Sequence, residues 1–219
     1  MVRFDTPERS ATQLAADCIA IGLFDEDALS GTALAVDGAT RGSVQRLKAD
    51  GDLPVRAGET YILPAPAGLT AKRLLVVGLG KRSEFRQRHW RKAVSAALAA
   101  VLKTRAASLV VAIDQPAADA VSPYYLGRAV ADLTGAAMYR INDFKSGRKP
   151  ARYALKSVAV AGLGAKERAD AQRGLDQGEA IAVGQTVLRD LGNLPANVCT
   201  PRYLAAHAKE LAKVHKSIK

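Results

Sequence analysis

Five short apolar runs, separated by segments with helical signals, constrain the fold of this chain more than any other feature of its sequence. Three of them, at 17–24, 72–77 and 108–113, are rich in leucine, isoleucine and valine and are typical of buried strands. Shorter runs at 60–63 and 157–161 have the same character. Strands that alternate with helices form a largely parallel sheet between helical layers. The sequence therefore predicts an α/β fold, a three-layer sandwich with a mostly parallel mixed sheet.

Helix signals lie between these runs. The segment 31–50 has apolar residues at helical spacing and is predicted to be one helix. Ser83 is a natural N-cap for a second helix. Ser122, followed by a proline, marks the start of a third. A last long helix is predicted over about 166–191.

The composition is that of an ordinary globular protein, with 219 residues of which 48% are hydrophobic and 24% charged. No apolar run approaches the roughly 18 residues of a membrane span, and the N-terminus lacks a signal peptide, so we expect no membrane association and a cytoplasmic location. Cys18 and Cys199 are too few for a disulfide framework or a metal cluster. The net charge of +11 favours attraction to polyanions, and the absence of an acidic partner domain would also explain it.

The sequence contains no recognisable active site. Gly-Leu-Gly turns follow two strands, but Ser83 and Glu167 occupy the positions where a dinucleotide fingerprint needs its third glycine. His207 and His215 would lie about 12 Å apart along one helix, too far to share a metal ion. The carboxylates are scattered, whereas a two-metal hydrolase needs several that converge. We therefore predict no catalytic residue and no metal ligand in this chain.

One segment, 144–156, carries basic residues and no acidic residue. Such a charge run is typical of a solvated loop, and it is also typical of a surface that contacts nucleic-acid phosphates. The candidate contacts are Lys145, Arg148, Lys149 and Arg152, with Lys81 and Arg82 behind them.

The most specific local pattern is the stretch 189–201, Arg-Asp-Leu-Gly-Asn-Leu-Pro-Ala-Asn-Val-Cys-Thr-Pro. Gly192 and Asn193 tolerate left-handed backbone angles and can end a helix, which the following proline cannot continue. Thr200 is a natural N-cap with Pro201 in the first turn of the next helix. The apolar stripe predicted for that helix is Leu204, Ala205, Ala208, Leu211 and Ala212.

Together with the preceding Gly178-Glu-Ala-Ile-Ala-Val-Gly184, this junction resembles the leucyl aminopeptidase family, also called cytosol aminopeptidases. It resembles the point where the N-terminal α/β domain of that family meets a two-metal catalytic domain. The strand at 74–80 fits the family more loosely. The resemblance implies a macro-domain-like domain over 1–165, a connecting helix over 166–191 and the start of a truncated catalytic domain over 192–219.

The resemblance also implies what the parent protein does. Family members remove N-terminal residues from peptides with two divalent ions, Mn²⁺ or Zn²⁺, and assemble as hexamers of two trimers. Their metal ligands, catalytic lysine and bicarbonate-binding arginine lie in the catalytic domain, and no position here matches those motifs. Some bacterial members also bind DNA in transcription control and site-specific recombination.

Three hypotheses follow. In the preferred one, the chain is the non-catalytic domain of a leucyl aminopeptidase, with a role in assembly and in shaping access to the catalytic chambers. In the second, it is a DNA-binding module that uses the basic segment. In the third, it is a free-standing binder of a small ligand such as ADP-ribose, which only the macro-domain-like fold supports.

Overall fold

The computed structural model describes residues 2–26, 28–115, 121–141 and 153–217. Within these ranges, six strands form one sheet: β1 (Arg3–Asp5), β2 (Cys18–Phe24), β3 (Thr60–Pro64), β4 (Arg73–Gly80), β5 (Ser108–Ala112) and β6 (Ser157–Val160). The α-helices of the same ranges are α1 (Gly31–Ala39), α2 (Ser43–Ala49), α3 (Gln87–Val101), α4 (Pro123–Met138), α5 (Ala165–Asn193) and α6 (Pro201–Val214). None of these helices combines the length and the apolar character that crossing a bilayer requires.

The strands lie in the order β1-β6-β5-β2-β4-β3, and every neighbouring pair is parallel except β3 and β4. Helices α1 and α2 pack through Val36 and Val44 on one face of the sheet. Helices α3 and α5 contribute Trp90 and Leu175 to the opposite face, where they join Leu109 of β5. The predicted three-layer α/β sandwich with a mostly parallel mixed sheet is therefore confirmed.

Several local signals work as the sequence predicts. All five apolar runs form strands. The Ser122 hydroxyl accepts a hydrogen bond from the Tyr125 backbone N–H at 3.3 Å, with Pro123 in the first turn of α4. The long helix predicted over 166–191 is α5.

The segment 31–50 forms two helices, so the prediction of one helix is wrong. Helix α1 ends at Ala39 and α2 begins at Ser43, because Arg41 and Gly42 have φ angles of 56° and 78°. Residues in this left-handed region cannot continue a right-handed helix. Glycine adopts such angles readily, but nothing in the sequence marks an arginine for them.

The prediction that Ser83 caps the next helix is also wrong. Ser83 lies inside a short 3-10 turn, and α3 begins later, at Gln87. The N-cap is Arg86, whose backbone N–H donates a hydrogen bond to Nδ1 of His89 at 3.0 Å. An imidazole thus replaces the carboxylate or amide that usually fills this reciprocal capping position.

The end of α5 and the presence of strand β1 also differ from what the sequence predicts. Helix α5 ends at Asn193 without a left-handed residue, since Leu194 is extended, with φ −69° and ψ 140°. The ring of Pro195 enforces this geometry on the residue before it. The three-residue strand β1 is not predictable from the sequence, because Phe4 is its only apolar residue and it shows no pattern of its own.

Helices α4 and α5 touch through glycines, which allow their backbones to approach closely. A methyl group added at Gly127 would lie 2.0 Å from the carbonyl oxygen of Ala171. One added at Gly174 would lie 2.0 Å from the carbonyl oxygen of Tyr124. Because these neighbours are backbone atoms, they cannot move aside as a flexible side chain would.

We expect Gly174→Ala to lower the free energy of unfolding by about 1–3 kcal/mol or more, because α5 must move away from α4. Urea denaturation followed by circular dichroism measures this change. The matched control is Gly184→Ala on the same helix, where an added methyl group meets nothing within 4 Å. That variant should be more stable by about 0.5–1 kcal/mol, because alanine favours the helix. Equal shifts in the two variants would contradict the close-contact argument.

Asp17 joins three strands at the amino end of the sheet. Its backbone N–H donates to the Ser108 hydroxyl at 2.7 Å. Its carboxylate accepts a hydrogen bond from the Ala107 N–H at 2.7 Å and pairs with Nζ of Lys72 at 2.7 Å. The hydrogen bonds from Lys72 and Ala107 hold the pKa of Asp17 below its usual range.

We expect Asp17→Ala to destabilise the fold by about 1–3 kcal/mol, because the Ala107 N–H loses its acceptor. Since the folded-state pKa of Asp17 is lowered, its stabilisation is present above the unfolded-state pKa of about 3.9 and is lost as the pH falls through the folded-state value. Urea unfolding at a series of pH values should therefore show a weaker acid dependence for Asp17→Ala than for the wild type. Replacement of the exposed Asp52 by alanine is the control, and an equal change in both variants would rule out the pairing as the cause.

Candidate inter-domain surface

Helix α5 changes from a buried to an exposed helix midway along its 29 residues. Its fully buried positions all lie in the first half and end at Gly178. Beyond them, Val183 is 50% exposed and Leu188 is 70% exposed. We use the name inter-domain surface for residues 183–193, for α6 and for residues 139–141 at the end of α4.

Helix α6 is amphipathic, yet none of its 14 residues, all of them described, is buried. Its start is as predicted, because the Thr200 hydroxyl accepts a hydrogen bond from the Tyr203 N–H at 3.3 Å and Pro201 occupies the first turn. The predicted apolar stripe forms, but Leu204 is 45% exposed. Amphipathic helices normally bury such a stripe against another element. The stripe of α6 therefore lacks a full partner within the described part of the chain.

A groove of about 240 Å³ lies between the end of α4, the last turns of α5 and α6. A chain of hydrogen bonds forms its polar wall. Nδ2 of Asn193 donates to the Tyr139 hydroxyl at 3.0 Å, and that hydroxyl donates to Oδ1 of Asp190 at 2.9 Å. Desolvation raises the pKa of Tyr139 above its usual range, and the Asp190 carboxylate adds to the effect. The phenol therefore stays protonated and keeps donating at neutral pH.

His207 lines the same groove from the α6 side. Its ring lies parallel to that of Tyr203, with an interplanar angle of 5° and centroids 6.4 Å apart. Its Nε2 atom is shielded from solvent and has no hydrogen-bond partner among the described residues. An unpaired buried polar atom costs about 1–3 kcal/mol.

The charge near α6 is positive. Over residues 194–217 the acidic residue is Glu210, which pairs with Lys213 at 2.6 Å. The other basic residues of this stretch are Arg202, Lys209 and Lys216. An apolar stripe flanked by such charges fits a partner surface with apolar and acidic groups.

At the carboxyl ends of β2 and β5, where open α/β folds usually bind ligands, the described residues already place a carboxylate on a helix N-terminus. Asp114, which follows β5, accepts hydrogen bonds from the backbone N–H and the hydroxyl of Thr32 at the start of α1, the second at 2.9 Å. A carboxylate thus occupies the helix N-terminus where a phosphate would bind. The cavity that described residues line there measures about 10 Å³, room for no more than one water molecule. Among the described residues, Asp114 therefore takes the position at the N-terminus of α1 that a phosphate of a ligand such as ADP-ribose would need.

The basic residues predicted to contact nucleic acid fall into two groups. Lys81 is exposed, whereas the guanidinium of Arg82 lies 4.1 Å from the centroid of the Phe24 ring and donates to the Ser30 hydroxyl at 2.8 Å. Arg82 therefore already has intramolecular partners. The other four lie outside the described residues and stay predictions: Lys145, Arg148, Lys149 and Arg152.

Across the described ranges, no group of three or more histidine, cysteine, aspartate or glutamate side chains is close enough to hold a metal ion. Cys18 is buried in the core, and desolvation raises the pKa of its thiol to about 12. A thiol with such a pKa is not a nucleophile near neutral pH.

Sequence reasoning missed the groove and its hydrogen-bonded wall. Tyr139 and Asp190 lie about 50 positions apart in the chain, and their contact depends on how α5 packs against α4. The apolar stripe of α6 is the one feature of the sequence that signals this groove. The spacing of its apolar residues alone does not show that the stripe is exposed. From the sequence, His207 is considered only as a metal ligand and is rejected because of its spacing from His215, and a missing hydrogen-bond partner is not visible in a sequence.

Comparisons with known proteins give the family of this chain. Residues 20–148 match the N-terminal domain of the cytosol aminopeptidase family. A probable cytosol aminopeptidase of Burkholderia multivorans is 40% identical over 198 residues, which cover 90% of this chain and 39% of that protein. One of Burkholderia orbicola is 40% identical over 197 residues, with the same coverage. The chain thus spans about two-fifths of the length of these curated relatives.

Three solved structures share the fold of this chain. A mutant tomato leucine aminopeptidase matches with a TM-score of 0.80 and 25% identity, covering 99% of this chain and 43% of that one. The bottromycin maturation enzyme BotP matches with a TM-score of 0.63 and 27% identity, over 91% of this chain and 38% of its own. BotP in complex with Mn matches with a TM-score of 0.62 and 26% identity, over 91% and 37%. Because the family match spans more than half of its residues, this chain belongs to the cytosol aminopeptidase family and corresponds to the N-terminal domain of its members.

Proposed function

We propose that residues 1–191 are the non-catalytic scaffold and connecting helix of an aminopeptidase, that residues 192–219 begin its catalytic domain, and that the rest of the catalytic domain packs on the inter-domain surface. The observation that carries the proposal is the exposed apolar stripe of α6, which continues the exposed half of α5. The relatives have about three-fifths of their length outside the match, which is enough chain to cover that surface.

The reaction of the whole protein would be the release of N-terminal amino acids from peptides. Two divalent ions, Mn²⁺ or Zn²⁺, would be held by the catalytic domain, and the resemblance to leucine aminopeptidase and to Mn-bound BotP supports this assignment. Two-metal hydrolysis needs ligands that hold the ions roughly 3.5–4 Å apart. The scaffold would contribute to a hexamer of two trimers in the cytoplasm and would shape access to the catalytic chambers.

The activity test compares the chain alone with a fusion. We expect the 219-residue chain to show no Mn²⁺-dependent hydrolysis of a leucine anilide. The fusion joins residues 1–217 to the part of the Burkholderia multivorans relative that follows the matched region. It should hydrolyse the anilide, because it supplies the metal ligands. Metal-dependent turnover by the unfused chain would refute the scaffold assignment.

A second variant tests docking within that fusion. Leu204→Asp places a charge in the proposed apolar contact and should lower the activity of the fusion about tenfold or more. The same substitution should leave the melting temperature of the isolated chain unchanged, since Leu204 is exposed there. Glu210→Gln, a change at an exposed polar position of α6, is the control. Equal activity of all three fusions would contradict docking on α6.

The net charge of +11 favours a second candidate function, the binding of DNA by the basic segment. Lys145, Arg148, Lys149 and Arg152 would contact phosphates, as they would in a bifunctional aminopeptidase that also acts in transcription or recombination. Such contacts release counterions, so the binding constant would fall steeply as salt rises.

Fluorescence anisotropy with a labelled duplex measures this salt dependence. We expect replacement of those four residues by glutamine to weaken binding and to reduce the slope of log K against log salt by about one for each phosphate that is no longer neutralised. The control carries Lys103→Gln and Lys166→Gln, at two exposed sites on other parts of the domain. Binding that does not change between low and high salt would argue against this function.

A further inference from the structure

The second half of α5 has an outward face formed by Ala180, Val183, Gly184, Val187, Leu188 and Leu191. We infer that the main chain of the rest of the catalytic domain covers this outward face and comes closest to it at Gly184. The inference rests on the proposed function, because it takes the catalytic domain as the occupant. It goes beyond that function by assigning the point of closest approach and the residue that permits it.

The exposed side of α5 changes from polar to apolar along the helix. In the first half, Arg173, Asp176 and Gln177 are exposed on this side. In the second half, the positions that continue the same side at spacings of three and four are those of the outward face, which has no polar side chain. Val183 is 50% exposed and Leu188 is 70% exposed. A surface helix normally turns its polar residues to water, so this face has the pattern of a covered surface.

The side of α5 that faces α4 is polar over the same stretch. Nε2 of Gln185 donates a hydrogen bond to Oδ1 of Asp132 at 2.9 Å. The guanidinium of Arg189 donates to Oε1 of Gln185 at 3.2 Å and lies 5.5 Å from the centroid of the Tyr139 ring. Polar groups thus point into the domain while apolar groups point outward, which is the reverse of an ordinary surface helix. This reversal indicates that another part of the protein covers the outward side.

Gly184 has no packing reason among the described residues. Earlier on the same helix, a methyl group added at Gly178 would lie 2.5 Å from the carbonyl oxygen of Arg128 on α4. At Gly184 it would meet nothing within 4 Å. Gly38 and Gly192 are open as well, but each lies in the last turn of its helix, where helices fray. Because glycine within a helix is destabilising relative to alanine, a main chain that approaches Gly184 as α4 approaches Gly178 would explain its presence.

The length and position of the remaining chain identify the occupant. The family match is to an N-terminal domain, and about three-fifths of the Burkholderia multivorans relative lies outside the matched region. That remainder would follow α6, whose Tyr203 and His207 line the groove of about 240 Å³ together with Val187 and Leu191 of the outward face. The outward face is therefore continuous with the place where the rest of the catalytic domain begins.

Hydrogen exchange of the amides of residues 180–191 tests the inference. In the fusion, these amides should exchange at least about tenfold more slowly than in the isolated chain, after correction for intrinsic rates. Gly184→Ala should act in opposite directions in the two proteins. In the isolated chain it should slow exchange about two- to fivefold, because alanine favours the helix. In the fusion it should speed exchange about tenfold or more, because its methyl group holds the docked main chain away.

Gly38→Ala, at an open glycine of α1, is the matched control. It should leave the exchange of residues 180–191 unchanged in both proteins, because α1 lies on the opposite face of the sheet from α5.

The outcomes separate the two proposals. A fusion in which Leu204→Asp keeps full activity and residues 180–191 gain no protection would overturn the proposed function. A fusion that loses activity with Leu204→Asp would overturn only this inference if residues 180–191 gain no protection, or if Gly184→Ala slows their exchange. Protection that grows with the concentration of the isolated chain would also overturn the inference, because a second copy would then be the occupant.

Discussion

The backbone contact between α4 and α5 is the constraint on which the rest of the structure depends. Glycines at 127 and 174 place each helix against carbonyl oxygens of the other. Helices packed through side chains lie about 8–10 Å apart and can slide, whereas a backbone contact fixes the separation and the rotation. Since α4 is anchored in the core through Leu126 and Val130, α5 is held in one orientation relative to the sheet. The exposed half of α5 therefore has a fixed orientation relative to the sheet, and this orientation sets where α6 begins.

This arrangement separates two ends of the domain. At the carboxyl ends of the strands, where many α/β folds bind a ligand, the described side chains of Asp114, Leu79 and Arg82 line a cavity of about 10 Å³. At the far ends of α4 and α5, a groove and an apolar stripe are left open. A fold of this class thus does not imply the usual site, and the position of the open surface is the better guide to function.

The sequence predicted the architecture well where hydrophobic pattern alone decides the outcome. The strands are apolar because both faces of the sheet are covered, and that pattern is visible without a structure. The errors lie where backbone angles or distant contacts decide. Arg41 at positive φ splits a predicted helix, and His89 rather than Ser83 closes the start of α3. The wall formed by Tyr139 and Asp190 depends on tertiary packing, so it could not be predicted from local spacing.

The energetics of helix α6 indicate that contacts which would stabilise it are missing from the described residues. A 14-residue segment is only marginally helical by itself in water, and no described residue of α6 is buried. Its amphipathic pattern is therefore best explained by a partner that supplies the missing contacts. A partner in the same polypeptide would be present at a high effective concentration, so a modest surface would suffice for stable docking.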